Sequence, residues 1–258
     1  MTAIAQSAYM TQRHTRALLR QPWFVAITLV QPIIWLVLFG QLFRSVVEIP
    51  GFTSSASYLD YLVPGVIAMT ALFSASWSGM GLIDDIDRGI LDRFLVSPTH
   101  RSSLITGRLV HEGIAIVIQA SIIAGLAWLL GARFESGPIG FAVLLACAVL
   151  LAATFGALSN ALALVLRQRE SVIGANQFLG LPLTFMSAAF MPLDLAPGWI
   201  ATIARLNPLN WAVEAGREGL AASPDPWYVL IRLAGLLVVA VIGAAVATRA
   251  FRSYQHSI

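Results

Sequence analysis

Residues 21–43, 61–83, 136–166 and 171–193 contain no charged side chain. Two further apolar runs, 109–132 and 227–248, carry only His111, Glu112 and Arg232. A helix needs about 20 predominantly apolar residues to cross a bilayer. Inside hydrocarbon the backbone must satisfy its own hydrogen bonds, and a single apolar segment does that as an α-helix. Six such runs in one chain predict an all-α polytopic membrane protein with six transmembrane helices. Composition excludes the soluble alternative: 58% of residues are hydrophobic and 11% charged, against about 25% charged in a typical soluble domain.

What lies between the runs divides into four kinds of segment. Residues 2–20 are not apolar enough to span. Arg13, Arg16 and Arg20 recur at three- and four-residue spacing, which places them on one helix face, with Ile4, Ala8, Leu18 and Leu19 on another. This predicts an amphipathic helix lying on the membrane surface. The apolar run that follows is too long for a signal-peptide core of about 7–15 residues and is closed by no small-x-small site, which argues against a cleaved leader. Residues 44–60 and 133–138 read as turns. In the fifth run Pro182 predicts a kink. Residues 194–219 are too polar to span and too apolar for a free loop, so they are expected as short interfacial helices anchored by Trp199 and Trp211.

Orientation follows from the sixteen arginines, since the chain has no lysine. Eleven of them fall with residues 1–20, 84–108, 167–169 and 249–252, and five on the alternate side. The positive-inside bias predicts that both termini and the 84–108 segment are cytoplasmic.

That segment, DDIDRGILDRFLVSPTHRSSLITGR, is the longest charged interval of the chain, with four acidic residues, four arginines and His100. Set between two spans, it is exposed to water and available to a partner. Elsewhere ionisable groups are few. Glu112 lies inside a span, where a charge suggests function such as a proton relay. It also lies four residues beyond Arg108, so an i,i+4 pair at the membrane border accounts for it equally. Asn160 and Asn176 either line a pathway or bond between helices. Small residues at four-residue spacing (Ala152, Gly156 and Asn160 in one span; Ala240, Ala244 and Thr248 in another) predict close helix packing.

Several chemistries are excluded. Without lysine there is no phosphate loop of the G-x-x-x-x-G-K-[ST] kind. The chain therefore binds no ATP or other cofactor itself, and an ATP-driven role needs a separate subunit. No metal motif occurs, and the dispersed arginines form no nucleic-acid patch. Cys147, the single cysteine, sits in an apolar run and reads as a packing residue.

The run Asp87-Arg88-Gly89-Ile90-Leu91-Asp92-Arg93-Phe94-Leu95-Val96-Ser97-Pro98, with Arg101 and Gly107 after it, resembles the cytoplasmic loop following span two in ABC-2 type permeases. The later Pro192, Pro197-Gly198-Trp199, Asn207-Pro208-Leu209, Glu214 and Arg217 are similar to that family's stretch between spans five and six. The resemblance covers the whole chain and looks closest to daunorubicin-type drug-resistance permeases, with Asp87 at the acidic position and Ile90 where many members carry threonine. It implies a single ABC-2 transmembrane domain over 1–258. Residues 87–94 (Asp87 to Phe94) form a coupling helix that docks on a nucleotide-binding subunit holding ATP and Mg, and the helix bearing Arg13, Arg16 and Arg20 becomes its connecting helix. Trp199, Asn207, Pro208, Glu214 and Arg217 cap the pathway on the outer face. A second permease, identical or related, faces the first in the lipid of a bacterial cytoplasmic membrane. The implied function is export of hydrophobic compounds, drugs or lipids, by ATP-driven alternating access. Export of a glycan or lipid-linked polymer is an alternative, and an ion-coupled transporter using Glu112 is a rival of another class.

Overall fold

The computed structural model describes residues 11, 22–48, 57–90 and 101–255, and among these the regular structure is helical with no strand. Arg13, Arg16 and Arg20, and residues 91–94 of the expected coupling helix, lie outside the described residues. Helix α1 (Pro22–Ile34) contains Pro32, and directly after it the helix widens into a π-helical turn at Trp35–Phe39 before ending at Leu42. Then come α2 (Tyr58–Ser76), α3 (Ser78–Asp87), α4 (Arg101–Leu129), α5 (Gly137–Leu166), α6 (Arg169–Phe185), α7 (Gly198–Ala204), α8 (Pro208–Leu220) and α9 (Pro226–Gln255).

Among the described residues four helices are long and apolar enough to cross a membrane: Tyr58–Asp87, which joins α2 to α3, Thr106–Leu129, Gly137–Leu166 and Pro226–Tyr254. The chain is therefore a polytopic helical membrane protein. The remaining two expected spans, 21–43 and 171–193, correspond to shorter helices. The apolar part of the first is Ala26–Leu42, and the second is the 17-residue α6. Pro182 sits in the last turn of α6, and the helix unwinds at Met186.

Thr11 and Tyr254 lie at one end of the bundle. Thr11 Oγ1 donates to Gly107 O at the start of α4 (3.3 Å), and the Arg167 guanidinium lies 4.6 Å from the centre of the Tyr254 ring. Asp84, Asp85 and Asp87 sit at this same end, called here the acidic end. At the opposite end Arg133 N donates to Asp60 Oδ1 (2.8 Å) and Ser136 Oγ donates to Gly219 O (2.5 Å). A ring cluster of Trp35, Phe39, Phe43, Tyr58 and Phe190, with neighbouring centroids 4.5–5.7 Å apart, ties α1, α2 and the segment after α6 together there. Helix ends are closed by local chemistry. Ser57 caps α2 by accepting from Asp60 N. Gly131, at φ +104, ends α4 with Gly131 N bonded to Trp128 O and Ala132 N to Ala127 O, the paired 5→2 and 6→1 bonds of a Schellman closure.

Helix α5 is the axis of the bundle and packs against α2, α3, α4, α6, α8 and α9. Small side chains permit this. Ala148, Ala152, Gly156 and Asn160 are buried toward α2–α4, while Gly243 of α9 meets Thr154 and Ala157. The buried face of α9 runs Leu236, Ala240, Ala247, Phe251 and Tyr254, a stripe shifted slightly from the expected Ala240, Ala244 and Thr248. Within the expected interfacial segment, α7 exposes Trp199 and Ile203, whereas α8 is packed among α2, α5 and α9. Helix α8 meets α5 at backbone contact: a side chain on Gly140 would collide with Gly219 O, and one on Gly65 of α2 with the Ala189 backbone. Gly65→Val is therefore expected to lower the thermal midpoint of the detergent-purified protein by the equivalent of about 1–3 kcal/mol. Gly174→Ala, which faces open space, should leave it within about 1 kcal/mol of the parent. Equal midpoints for the two variants would remove the close-approach argument.

Candidate functional site

Polar side chains in this bundle collect at three levels. At the acidic end α3 carries Asp84, Asp85 and Asp87 in its last turn. Arg108 of α4 bonds Asp85 and also donates to Gly81 O (3.4 Å). Arg169, the first residue of α6, bonds Asp84 and lies 3.5 Å from Asp87. Burial separates the two contacts. The Asp85–Arg108 side chains are 15% and 10% exposed, while Asp84 and Arg169 are 35% and 48% exposed. The second pair is solvated and worth about 0–1 kcal/mol, so the first is the stronger weld. Beyond it Arg88 is exposed, and Gly89 at φ +63 lets the chain leave the helix axis, with Gly89 N bonded to Ile86 O. Ile90 resumes helical geometry and is half-buried.

One level deeper the long span breaks at Trp77, between α2 and α3. A helix break frees carbonyls that in lipid have no water to accept from. Here Ser159 Oγ of α5 (2.5 Å) and Asn176 Nδ2 of α6 (2.7 Å) both donate to Ser76 O. Ser159 Oγ in turn accepts from Gly79 N (3.1 Å). Asn160 Nδ2 donates to Ser78 Oγ (3.1 Å) and to Gly156 O of its own helix (2.7 Å). Glu112 of α4 is half-buried. Two of the polar residues expected inside the membrane, Asn160 and Asn176, thus converge on one short stretch, Ser76–Gly79.

The opposite end is held by a network centred on α8. Arg217 Nη2 donates to Tyr61 O (3.1 Å) and Ala188 O (3.0 Å), and its guanidinium lies 3.5 Å from the Tyr61 ring centre. Tyr61 OH also donates to Ala188 O, and Ala188 N donates to Asn210 Oδ1. Asn210 Nδ2 donates to Glu214 Oε1, and the other carboxylate oxygen of Glu214 pairs with Arg232 of α9 at 2.7 Å. Asn207 caps α8 by accepting from Leu209 N, with Pro208 at the first helical position, and its amide closes the end of α6 by donating to Leu183 O and Met186 O. Of the five residues expected at this gate, four join or border the network, and Trp199 stands apart on α7, 59% exposed.

The structure adds Tyr61, Asn210, Tyr228, Ser76, Ser78, Ser159, Asp84, Asp85 and Arg169 to the polar framework. Three of these had a readable signal. Ser76 and Ser78 flank Trp77 in an otherwise apolar run, and Asn210 precedes Glu214 by one helical turn.

Residues 5–221 match the family described as ABC-2 type transporter. The daunorubicin resistance ABC transporter permease protein DrrB1 of Streptomyces coeruleorubidus is 29% identical over 211 residues, covering 81% of this chain and 73% of that protein. A "Probable doxorubicin resistance ABC transporter permease protein DrrC" of Mycobacterium tuberculosis is 25% identical over 249 residues, covering 95% of this chain and 89% of that protein. The match takes in the acidic end, the broken span and the embedded α8 alike, and the chain belongs to the ABC-2 type transporter family.

Proposed function

We propose that this ABC transporter permease is the membrane half of an ATP-driven exporter of hydrophobic, drug-like compounds. The observation that carries the reading is the weld of α3 to α4 and α6 through Asp85–Arg108 and Asp84–Arg169. A push applied to the chain just beyond Gly89 is passed to three helices at once. In this reading residues 87–94 dock on a nucleotide-binding subunit that holds ATP and Mg, with Arg13, Arg16 and Arg20 on a helix beside them. Both termini face the cytoplasm of a bacterial cell, and α1 and α6 complete six spans. ATP-driven closure of the paired ATPases then biases two arrangements of the bundle.

The substrate class follows the relatives' names and one surface feature. A groove of about 120 Å³ between α1 and α2 is lined by Trp35, Phe73 and Trp77 with Gln31, Thr70 and Ser74 among them. Aromatic walls with a few hydroxyl and amide groups suit flat amphipathic rings. Drug-sized ligands occupy sites of about 300–1,000 Å³, so a second permease, identical or related, is needed to complete the site. At the opposite end the Arg217 network acts as the outer closure.

The test is reconstitution of the permease with its ATPase subunit in vesicles. Arg108→Ala with Arg169→Ala should retain the ATPase subunit on purification but lower export about tenfold or more, the size of a typical coupling free energy. Export at the parental rate would sink the weld as the transmission point, and export by the permease alone would favour ion coupling. In the same assay Arg217→Met removes the bonds to Tyr61 O and Ala188 O. Loss of a buried polar partner of this kind costs about 1–3 kcal/mol, and the expected result is a lower thermal midpoint with raised substrate leak in the absence of ATP.

A further inference from the structure

Away from the acidic end, a cavity of about 280 Å³ lies where the first helix ends, α2 begins and α4 closes. Its lining changes character along the first helix. Leu36 and Val37 line it about one turn before Gln41 and so lie deeper in the bundle, and Leu130 adds an apolar wall from the end of α4. Gln41, Arg44 and Ser57, the cap of α2, line it at the helix ends. These three keep hydrogen-bond donors to spare. Arg44 is exposed and makes neither ion pair nor hydrogen bond among the described residues, and Gln41 is exposed as well. Ser57 Oγ accepts from Asp60 N (3.2 Å), which leaves its own proton to give. Asp60 itself accepts from Arg133 N and does not line the cavity. Arg44 is thus the one charged group among the described residues around it.

We infer that this cavity binds the headgroup of a membrane phospholipid, with its phosphate on Arg44, Gln41 and Ser57 and its glycerol against Leu36, Val37 and Leu130. A guanidinium without a counter-ion, set beside two neutral donors, matches the charge and the acceptor oxygens of a phosphodiester. Position names the source. Arg44 follows directly on the apolar helix Ala26–Leu42, where hydrocarbon gives way to headgroups. Trp128 and Leu129, in the last turn of α4, are 65% and 75% exposed, and an exposed tryptophan at a span's end sits at headgroup level. A free phosphate would use the three donors and leave the apolar walls wet, whereas a lipid covers both. A lipid seated here touches the ends of three helices at once. The site needs no ATPase subunit and no second permease, and it stands whether or not the exporter reading does.

The test is native mass spectrometry of the detergent-purified full chain titrated with phosphatidylglycerol. The parent is expected to take up one lipid saturably. Arg44→Ala should weaken that adduct about tenfold, the weight of one charge-assisted contact, and Lys at the same position should restore part of it. Val37→Trp fills the cavity from its apolar side without touching Arg44, and it should weaken the adduct as well. Arg205, exposed and outside the cavity, is the control, and Arg205→Ala should bind as the parent does. Parental adducts in either Arg44→Ala or Val37→Trp would overturn the site. An equal loss in Arg205→Ala would assign the binding to diffuse charge and overturn it too. Inorganic phosphate is added in a parallel series. Displacement of the lipid by phosphate at comparable concentration would assign a free anion and overturn the lipid.

Discussion

A backbone carbonyl freed inside hydrocarbon has no water to turn to, and the break at Trp77 frees one in the most buried span of this molecule. The rest of the bundle is arranged around that debt. Ser76 O is served from α5 by Ser159 and from α6 by Asn176, so two helices distant in sequence are drawn to one atom. Asn176 lies on the otherwise largely exposed α6, and its bond to the break is what anchors that short helix to the centre. The same constraint governs the opposite end. After α6 unwinds, the irregular backbone at Ala188 has its carbonyl taken by Tyr61 and Arg217 and its amide by Asn210, as non-helical backbone at membrane depth requires.

Mechanically the bundle divides into a tight half and a looser one. Gly140 against Gly219, and Gly216 against Leu144, hold α8 to α5 at a spacing no larger residue would allow. Arg217 and Arg232 then fasten α8 to α2 and α9. Helix α8 is therefore fixed to α5 and α9 and is no separate flap. On the other side α1 widens into a π-helical turn, and α6 presents Phe178 and Phe185 at 79% and 64% exposure.

Much of this was legible in the sequence because apolar length and charge are one-dimensional signals. The apolar runs located the four long helices, and Glu112, Asn160 and Asn176 stood out by polarity alone. The convergence of Asn160 and Asn176 could not be read, since residues 76, 78, 160 and 176 meet only after four helices are packed. The lengths of the shorter helices were also hidden. An uncharged run does not fix where a helix ends, and nothing in residues 171–193 says that the helix stops at Phe185 rather than Leu193. Burial of α8 escaped for a related reason. Its polar residues looked like an interfacial face, whereas Asn207 and Arg217 donate to backbone carbonyls at and beyond the end of α6, and Asn210 accepts from the Ala188 amide there.

The unequal helix lengths leave the protein with two heights against the lipid. The 17-residue α6 rises about 25 Å, short of a hydrocarbon layer about 30 Å thick, while the 30-residue α5 and α9 exceed it and must tilt. A short helix is matched to the layer by thinner lipid, by snorkelling flanks or by a neighbouring subunit, and a long one by tilt or kinking. Bilayer thickness therefore acts differently on the α6 side of the bundle and on the α9 side.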